Sequence, residues 1–227
     1  LKSTVVAVAA TSLLNAQQVM TPEKLWTLNK FSVSAVAPDH SSLIYQVGTV
    51  DLKTEKTKKK NYLLGLKDNA TKSFDLGKKS LIQWDKNGIY ALEDGKIYIS
   101  KDGGTSWTEF YTIGEVDNII ISPDAKKIAF SKAVLVEDVM GTNKYKDLPK
   151  NTAQVYHDLN IRHWDTWNKG EYSHVFVVNT DQAVETAKDL LAGEKFDCPQ
   201  KPHGGSEDFV WSPDSSQLLY VTKKKSG

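Results

Sequence analysis

The sequence predicts an all-β fold built from repeated units of four short antiparallel strands. One phrase occurs three times: a hydrophobic strand end, a Pro-Asp turn, two or three small or polar residues, and a second hydrophobic strand. The turns of the three copies begin at Pro38, Pro123 and Pro213. Proline presets φ at the first corner of a tight turn, and aspartate can bond back to the backbone two residues further on. Each copy therefore predicts a β-hairpin.

The spacing of these hairpins indicates the size of the repeat. Asp39 and Asp124 are 85 residues apart, and Asp124 and Asp214 are 90 residues apart. Both separations are close to twice the ~40–45 residues of a four-stranded β-propeller blade. A weaker copy at Asp85 falls between the first two copies. The sequence therefore predicts a β-propeller fragment of about four four-stranded blades plus the start of a fifth.

Composition narrows the possible classes of function. The 227 residues include 40% hydrophobic and 25% charged side chains, which is ordinary for a globular protein. The net charge of +1 argues against a dedicated nucleic-acid-binding protein, so no nucleic-acid partner is expected. The one cysteine, Cys198, excludes an internal disulfide framework. We expect no cofactor.

Residues 1–16 have the features of a secretory signal peptide. Lys2 supplies a positive charge, residues 4–14 are small or apolar, and Ala16 is the small residue expected before a cleavage site. The apolar run is too short to cross a bilayer as a helix, and a buried core segment is the alternative interpretation. We therefore expect residues 17–227 to be a partial propeller domain without a membrane span, located in a periplasm or secreted.

The first half of the chain alternates short hydrophobic strands with tight turns. Thr21 and Pro22 predict the cap and first residue of a short helix. Hairpin turns are predicted at Asp94-Gly95 and at Asp102-Gly103-Gly104, since Asp-Gly and Gly-Gly are strong hairpin signals. The lysine-rich residues 51–60 are interpreted as a solvated loop.

The second half is predicted to contain one looser segment. Residues 128–136 form a long strand of the third unit, and residues 137–154 leave it as an insertion. Strands at residues 174–178 and 184–191 complete a fourth unit, and a fifth unit begins at Phe209.

Residues 100–107 contain a second hairpin motif. Their Ser, Asp, Gly and Trp residues resemble the Asp-box of sialidases and related propellers, with Ser106 where Thr is usual. In that family the box is a structural hairpin and not the active site. A sialidase would also need an arginine triad, and Arg162 is the chain's only arginine. The motif therefore supports the fold alone.

Residues 155–178 form the most distinctive segment, which combines three histidines, two tryptophans, one arginine and two aspartates before a strand. The residues alone leave three interpretations open. One is a metal site with four candidate ligands: His157, His163, Asp158 and Asp165. The second is a corner anchored by tryptophan, with Arg162 paired to Asp165. The third is a substrate-facing site.

The run Arg162-His163-Trp164-Asp165-Thr166-Trp167, preceded by Tyr156 and Leu159, resembles the prolyl oligopeptidase family of serine peptidases. The match is best to bacterial dipeptidyl-peptidase and acylaminoacyl-peptidase-like members, and it covers roughly residues 20–227. In that family an N-terminal propeller caps a C-terminal α/β-hydrolase domain. The hydrolase carries the Ser-Asp-His triad, and the propeller limits access to short peptides.

The resemblance implies a function for a longer protein. No Gly-x-Ser-x-Gly nucleophile elbow occurs in the sequence, so no residue is assigned as catalytic and a hydrolase domain is expected outside these residues. We expect the substrate-gating propeller part of a secreted serine exopeptidase that cleaves short peptides near the N-terminus. Its partners would be a short peptide and its own hydrolase domain, with a homo-oligomer possible. The alternative is a non-catalytic secreted propeller that binds peptide or glycan.

The resemblance also implies six candidate substrate-binding residues: Arg162, His163, Trp164, Asp165, Trp167 and Glu171. In dipeptide-releasing relatives, propeller carboxylates hold the free amino group of the substrate. Asp165 and Glu171 are the candidates for this role because they lie in or next to the motif. No metal is expected.

Overall fold

The computed structural model describes residues 20–159 and 161–224. The predicted signal peptide, residues 1–16, lies outside the described residues. Regular structure in the described ranges is dominated by sixteen short strands, and neither of the two α-helices exceeds six residues. The all-β prediction is confirmed. In the part of the chain that is described, no helix has both the length and the apolar character needed to cross a membrane.

A short helix leads into the first sheet. Helix α1 (Pro22–Thr27) begins as predicted, with the Thr21 side chain accepting a hydrogen bond from the Lys24 amide at 3.2 Å. Four antiparallel strands follow in chain order: β1 (Lys30–Val36), β2 (Ser42–Asp51), β3 (Lys56–Gly65) and β4 (Thr71–Phe74). The loop predicted at residues 51–60 is wrong, because residues 56–60 pair in register with β2. Lysine side chains stay solvated on such a ribbon, so their charge does not prevent pairing.

The second sheet repeats this plan, with four antiparallel strands in chain order: β5 (Ser80–Asp85), β6 (Gly88–Glu93), β7 (Lys96–Ser100) and β8 (Thr108–Thr112). The turn between β7 and β8 is the predicted Asp-box hairpin. The Asp102 carboxylate accepts hydrogen bonds from the Ser100 hydroxyl at 2.7 Å and the Ser106 amide at 2.9 Å. Bonds to the hydroxyl and amide of Ser106 contribute most to holding the pKa of Asp102 far below its usual range.

The third sheet is interrupted by an insertion. The strands of the sheet and of the insertion are, in chain order, β9 (Asp117–Ile121), β10 (Lys127–Leu135), β11 (Arg162–His163), β12 (Thr166–Trp167), β13 (Glu171–Asn179) and β14 (Lys188–Asp189). The order in the sheet is β9-β10-β13-β14. Strand β10 pairs with β13 from Lys127 opposite Asn179 to Leu135 opposite Glu171. The insertion, residues 136–170, contains helix α2 (Gly141–Lys144) and the separate β11–β12 hairpin.

This pairing corrects the predicted number of units. We expected residues 128–136 and 174–178 to belong to different units, but they are neighbouring strands of one sheet. The 90 residues between Asp124 and Asp214 cover the length of one sheet plus the insertion. Because the insertion is nearly as long as a sheet, the spacing suggested a second unit. The described residues form three four-stranded sheets and a final hairpin of β15 (Phe209–Trp211) and β16 (Leu218–Tyr220), not four units plus the start of a fifth.

Each sheet packs face to face on the next one in the chain. Ile44 of the first sheet and Ile89 of the second share one buried cluster. Tyr90 of the second sheet and Phe130 of the third share another. Phe209 of the final hairpin is buried with Val175 of the third sheet. Because a sheet of this size buries its apolar faces only against neighbours, the sheets are stacked in chain order.

Two of the three Pro-Asp turns, those at Asp124 and Asp214, share one side-chain geometry. The Ser122 hydroxyl donates to the Asp124 carboxylate at 2.6 Å and accepts from the Lys127 amide at 2.9 Å. Ser212 and Asp214 repeat the first bond at 2.6 Å. The residue after each aspartate has a left-handed backbone conformation, with φ of 56°, 58° and 62° at His40, Ala125 and Ser215.

Hydrogen bonds at these turns also join adjacent sheets. The Gln83 side-chain amide exchanges two bonds with the Ile121 backbone, at 3.1 and 3.0 Å. The Asp124 amide donates to the Ser215 hydroxyl at 3.0 Å, and the Lys127 ammonium donates to the Ser215 carbonyl oxygen at 2.9 Å. These bonds therefore hold the second sheet to the third and the third sheet to the final hairpin.

We predict that Gly104→Ala destabilises the protein through a specific clash. Gly104 lies in the Asp-box with φ +88°, and a Cβ there would overlap the ring of the buried Phe74. Overpacking adds roughly 1–3 kcal/mol to the ~1 kcal/mol cost of placing alanine in a glycine conformation. Gly77→Ala is the control, because Gly77 has φ +58° and open space around it. Urea unfolding should show a clearly larger loss in the free energy of unfolding for Gly104→Ala than for Gly77→Ala. Equal losses would contradict the close packing of Gly104 on Phe74.

We predict that Asp214 makes the free energy of unfolding depend on pH in the acidic range. Hydrogen bonds from the Ser212 hydroxyl and then from the Ser216 amide lower the pKa of Asp214 from 3.8 to about 2. Since the folded-state pKa is the lower one, this stabilisation is complete above pH ~4 and is lost as the pH falls toward ~2. Urea unfolding across this range should give a shallower pH dependence for Asp214→Asn than for wild type.

The matched control for that experiment is Asp181→Asn. Asp181 is exposed, and no hydrogen bond to its side chain occurs within the described ranges. This variant should keep the wild-type pH dependence. If the free energy of unfolding of Asp214→Asn follows the wild-type pH dependence, Asp214 is not the group responsible.

Candidate functional site

The candidate residues lie on or beside the insertion that leaves the third sheet between its second and third strands. The amides of Val136 and Glu137 both donate to the Gly170 carbonyl oxygen, at 3.0 and 3.1 Å, which closes the insertion at its base. A Cβ at Gly170 would overlap the carbonyl oxygen of Glu137, so glycine is needed for this close approach. The Lys195 ammonium lies 2.8 Å from the Glu137 carboxylate and lowers its pKa.

The outer part of the insertion is the β11–β12 hairpin. Its two-residue turn is Trp164-Asp165, and Trp164 has a φ of +52°. The turn is flanked by two cross-strand pairs: Arg162 with Trp167, and His163 with Thr166. The Asn168 amide donates to the Ile161 carbonyl oxygen at 2.9 Å and extends the hairpin by one further bond.

Aromatic stacking organises the side chains of this hairpin. The rings of Tyr156 and Trp167 are stacked, with centroids 6.4 Å apart and an interplanar angle of 20°. The Arg162 guanidinium carbon lies 5.4 Å from the Trp167 ring centroid. The Tyr156 hydroxyl donates to the Asn168 carbonyl oxygen at 2.8 Å. In a second stack, the rings of His163 and Trp164 lie 6.1 Å apart.

The structure brings five of the six candidate residues together on this hairpin. The five are Arg162, His163, Trp164, Asp165 and Trp167, and all are exposed. Glu171 lies at the start of β13, opposite Leu135, and is also exposed. The arrangement offers flat aromatic faces, one guanidinium and two carboxylates to solvent. Such groups can bind a small polar or charged molecule.

The pairing of Arg162 with Asp165 in the tryptophan-anchored corner is wrong. The Trp164 side chain is 85% exposed, whereas Trp167 packs on Tyr156. No ion pair joins Arg162 to Asp165 within residues 20–159 and 161–224, and the guanidinium lies on Trp167. Cross-strand partners extend from the same face of a ribbon, which favours the Arg162–Trp167 contact over one with the turn residue Asp165.

The metal interpretation finds no support in the described ranges. There, no three His, Cys, Asp or Glu side chains are placed to hold a metal ion. His157 Nε2 lies 3.3 Å from the Lys144 ammonium, which is a hydrogen-bond donor and not a metal.

Sequence reasoning did not separate the role of His174 from those of the other histidines. His174 is fully buried on β13, with Nδ1 2.8 Å from the Asp189 carboxylate and Nε2 2.9 Å from the Glu194 carbonyl oxygen. It therefore joins the third strand of the sheet to the outer strand and the loop that follows. The available signal was its place inside a hydrophobic strand, where a polar residue needs buried partners.

Comparison with known proteins shows which peptidases the chain is similar to. The chain is 31% identical over 235 residues to dipeptidyl-peptidase 5 of Porphyromonas gingivalis, covering 94% of the chain and 32% of that protein. It is 25% identical over 227 residues to dipeptidyl-peptidase 5 of Porphyromonas endodontalis, covering 96% of the chain and 33% of that protein. The resemblance to peptidases of the prolyl oligopeptidase family is confirmed. The chain spans about a third of the length of these curated relatives.

A solved structure has a fold similar to that of this chain. An acylaminoacyl peptidase of Pyrococcus horikoshii superposes with a TM-score of 0.50 at 14% identity, covering 76% of this chain and 27% of that one. This likeness concerns the fold alone. No protein-family model matches the chain.

We predict that Trp164 contributes little to stability. Because its side chain is mostly exposed, Trp164→Ala should change the free energy of unfolding by no more than ~0.5 kcal/mol. Trp107→Ala is the matched control, since Trp107 packs against the buried Phe74 with ring centroids 6.3 Å apart. It should cost about 3 kcal/mol. Equal losses in urea unfolding would show that Trp164 is buried in solution.

Proposed function

We propose that the chain is the substrate-gating propeller part of a secreted serine exopeptidase that cleaves short peptides near the N-terminus. The observation that carries this proposal is the similarity to dipeptidyl-peptidase 5 along 94% of the chain. The chain spans about a third of that relative. We therefore assign catalysis to a C-terminal hydrolase domain of a longer protein.

The propeller is supported by the way the sheets are stacked. Strand β5 contacts both β1 and β9, so the first strands of the three sheets are neighbours, as the inner strands of propeller blades are. The outward faces at the two ends of the stack expose apolar side chains: Phe31 and Val33 on β1, and Val210 and Leu219 on the final hairpin. In the proposed longer protein, further blades cover these faces.

The proposed chemistry is hydrolysis by an acyl-enzyme route, in which a serine activated by histidine attacks the peptide carbonyl. This chain would contribute positioning and not bond cleavage. The carboxylates of Asp165 and Glu171 are exposed, and either would accept a charge-assisted hydrogen bond from the free ammonium group of a substrate. Export to a periplasm or out of the cell is part of the proposal and is supported by the composition of residues 1–16.

A non-catalytic module that binds peptide or glycan is the second candidate. The observation that favours it is the β11–β12 hairpin, whose aromatic and charged side chains are exposed. Aromatic faces with a few polar groups are typical of binding surfaces.

We predict that peptidase activity belongs to the longer protein and not to residues 17–227. The reading frame should continue into a domain with a Gly-x-Ser-x-Gly motif followed by Asp and His. The longer protein should release dipeptides or acyl-amino acids from short peptides, and a serine-directed inhibitor should abolish this activity. Purified residues 17–227 should release neither.

Two results would contradict the proposal. One is inhibitor-sensitive hydrolysis by residues 17–227 alone. The other is a reading frame that completes a propeller and ends without a hydrolase domain, which would favour the binding module.

A further inference from the structure

The Tyr156 phenol, the Trp167 indole and the Arg162 guanidinium form one cluster on the insertion, the Tyr156–Trp167–Arg162 stack. The Trp167 ring centroid lies 6.4 Å from the Tyr156 ring centroid and 5.4 Å from the guanidinium carbon. Tyr156 is held in place because its hydroxyl donates to the Asn168 carbonyl oxygen at 2.8 Å. The guanidinium therefore lies over a ring that is packed against a hydrogen-bonded tyrosine.

The backbone also fixes the direction of Arg162. Arg162 and Trp167 are cross-strand partners in the β11–β12 hairpin, so their side chains leave the same face of the ribbon. Both are exposed, with Trp167 at 47%. The hairpin thus presents the guanidinium to solvent in a restricted orientation, which lowers the entropy lost when the guanidinium binds a ligand.

The charge of Arg162 has no carboxylate partner in the described part of the chain. The ion pairs found there involve lysine or histidine as the cation. Asp165, the nearest carboxylate in sequence on the hairpin, instead accepts a hydrogen bond from the Thr166 hydroxyl at 3.4 Å. A charged group that is held in position and left without a counter-ion is suited to binding one from solution.

Contact with an aromatic ring does not use up the hydrogen-bond donors of a guanidinium. Its five N–H groups lie in the guanidinium plane and can still bond to a ligand. Two parallel N–H groups match the two oxygens of a carboxylate, and such bidentate pairs are among the strong hydrogen bonds in proteins. The geometry selects a planar carboxylate over a neutral amide, which cannot accept two charge-assisted bonds.

We propose that the Tyr156–Trp167–Arg162 stack is a carboxylate-binding subsite that takes the carboxylate of a short peptide. This inference rests on the proposed function in that it takes the ligand to be a peptide. The carboxylate is supplied by the C-terminus of the peptide or by an acidic side chain. The exposed carboxylates of Asp165 and Glu171 lie on the same segment, so a peptide with both an ammonium and a carboxylate group meets complementary charges there.

The test measures binding of three peptides to the full 227-residue chain by calorimetry. The peptides are Ala-Ala-Ala as the free acid, the same peptide as its C-terminal amide, and Ala-Glu-Ala as its C-terminal amide. Wild type should bind the free acid about tenfold or more tightly than the Ala-Ala-Ala amide, as expected for a charge-assisted pair. If the Ala-Glu-Ala amide binds as tightly as the free acid, the subsite takes a side-chain carboxylate; if not, it takes the terminus.

Variants show whether the selectivity belongs to Arg162. Arg162→Gln should bind free acid and amide with equal affinity. Arg162→Lys keeps the charge but loses the planar fork, so it should keep only part of the preference. Lys169→Gln is the matched control, because it removes one exposed positive charge from the same segment outside the stack. It should keep the full wild-type preference.

Three outcomes would overturn the subsite: equal affinity of wild type for free acid and amide, loss of the preference in Lys169→Gln, or no binding of any of the three peptides. The proposed function fails on a different measurement, which is the absence of peptide hydrolysis by the longer protein. Carboxylate-selective binding without hydrolysis would leave the subsite standing and remove the peptidase assignment.

Discussion

The structure depends on hydrogen bonds from short polar side chains to the backbone at the hairpin turns. The Asp124 carboxylate and the Ser122 hydroxyl accept hydrogen bonds from the amides of Lys126 and Lys127, and the Asp124 amide donates to the Ser215 hydroxyl of the next hairpin. The four-stranded sheets bury apolar side chains against the neighbouring sheets. The turns therefore both close the individual hairpins and set which sheet lies beside which.

The elements that follow local rules were predictable from the sequence. Thr21 caps the helix that begins at Pro22, and the serine and aspartate of the Asp-box bond within their own turn. These contacts span few residues, so residue type and spacing determine them. The number of sheets was not predictable in this way, because it depends on the pairing of Lys127–Leu135 with Glu171–Asn179 across the insertion. Spacing alone does not distinguish an inserted loop from two further strands.

The candidate site was likewise predictable from the sequence only in part. The resemblance identified the segment that carries the exposed hairpin, and five of the six candidate residues lie on that hairpin. Sequence reasoning paired Arg162 with Asp165 by charge, whereas the structure places Arg162 on the ring of Trp167. The stack exists because a two-residue turn makes Arg162 and Trp167 cross-strand partners, and the turn type was not recognised. The buried pair of His174 and Asp189 was missed because it joins strands that are distant along the chain.

The closure of the insertion has a consequence for how this protein can change. The chain leaves the third sheet at Val136 and returns at Gly170, and the Gly170 carbonyl oxygen accepts both amides at the point of departure. The register of β10 and β13 is therefore set on the sheet side of that junction, independently of the residues beyond it. A segment that is inserted or shortened at this position is still joined to the sheet at Val136 and Gly170. Evolution and protein engineering can therefore change the length and sequence of this loop while the stacked sheets keep their architecture.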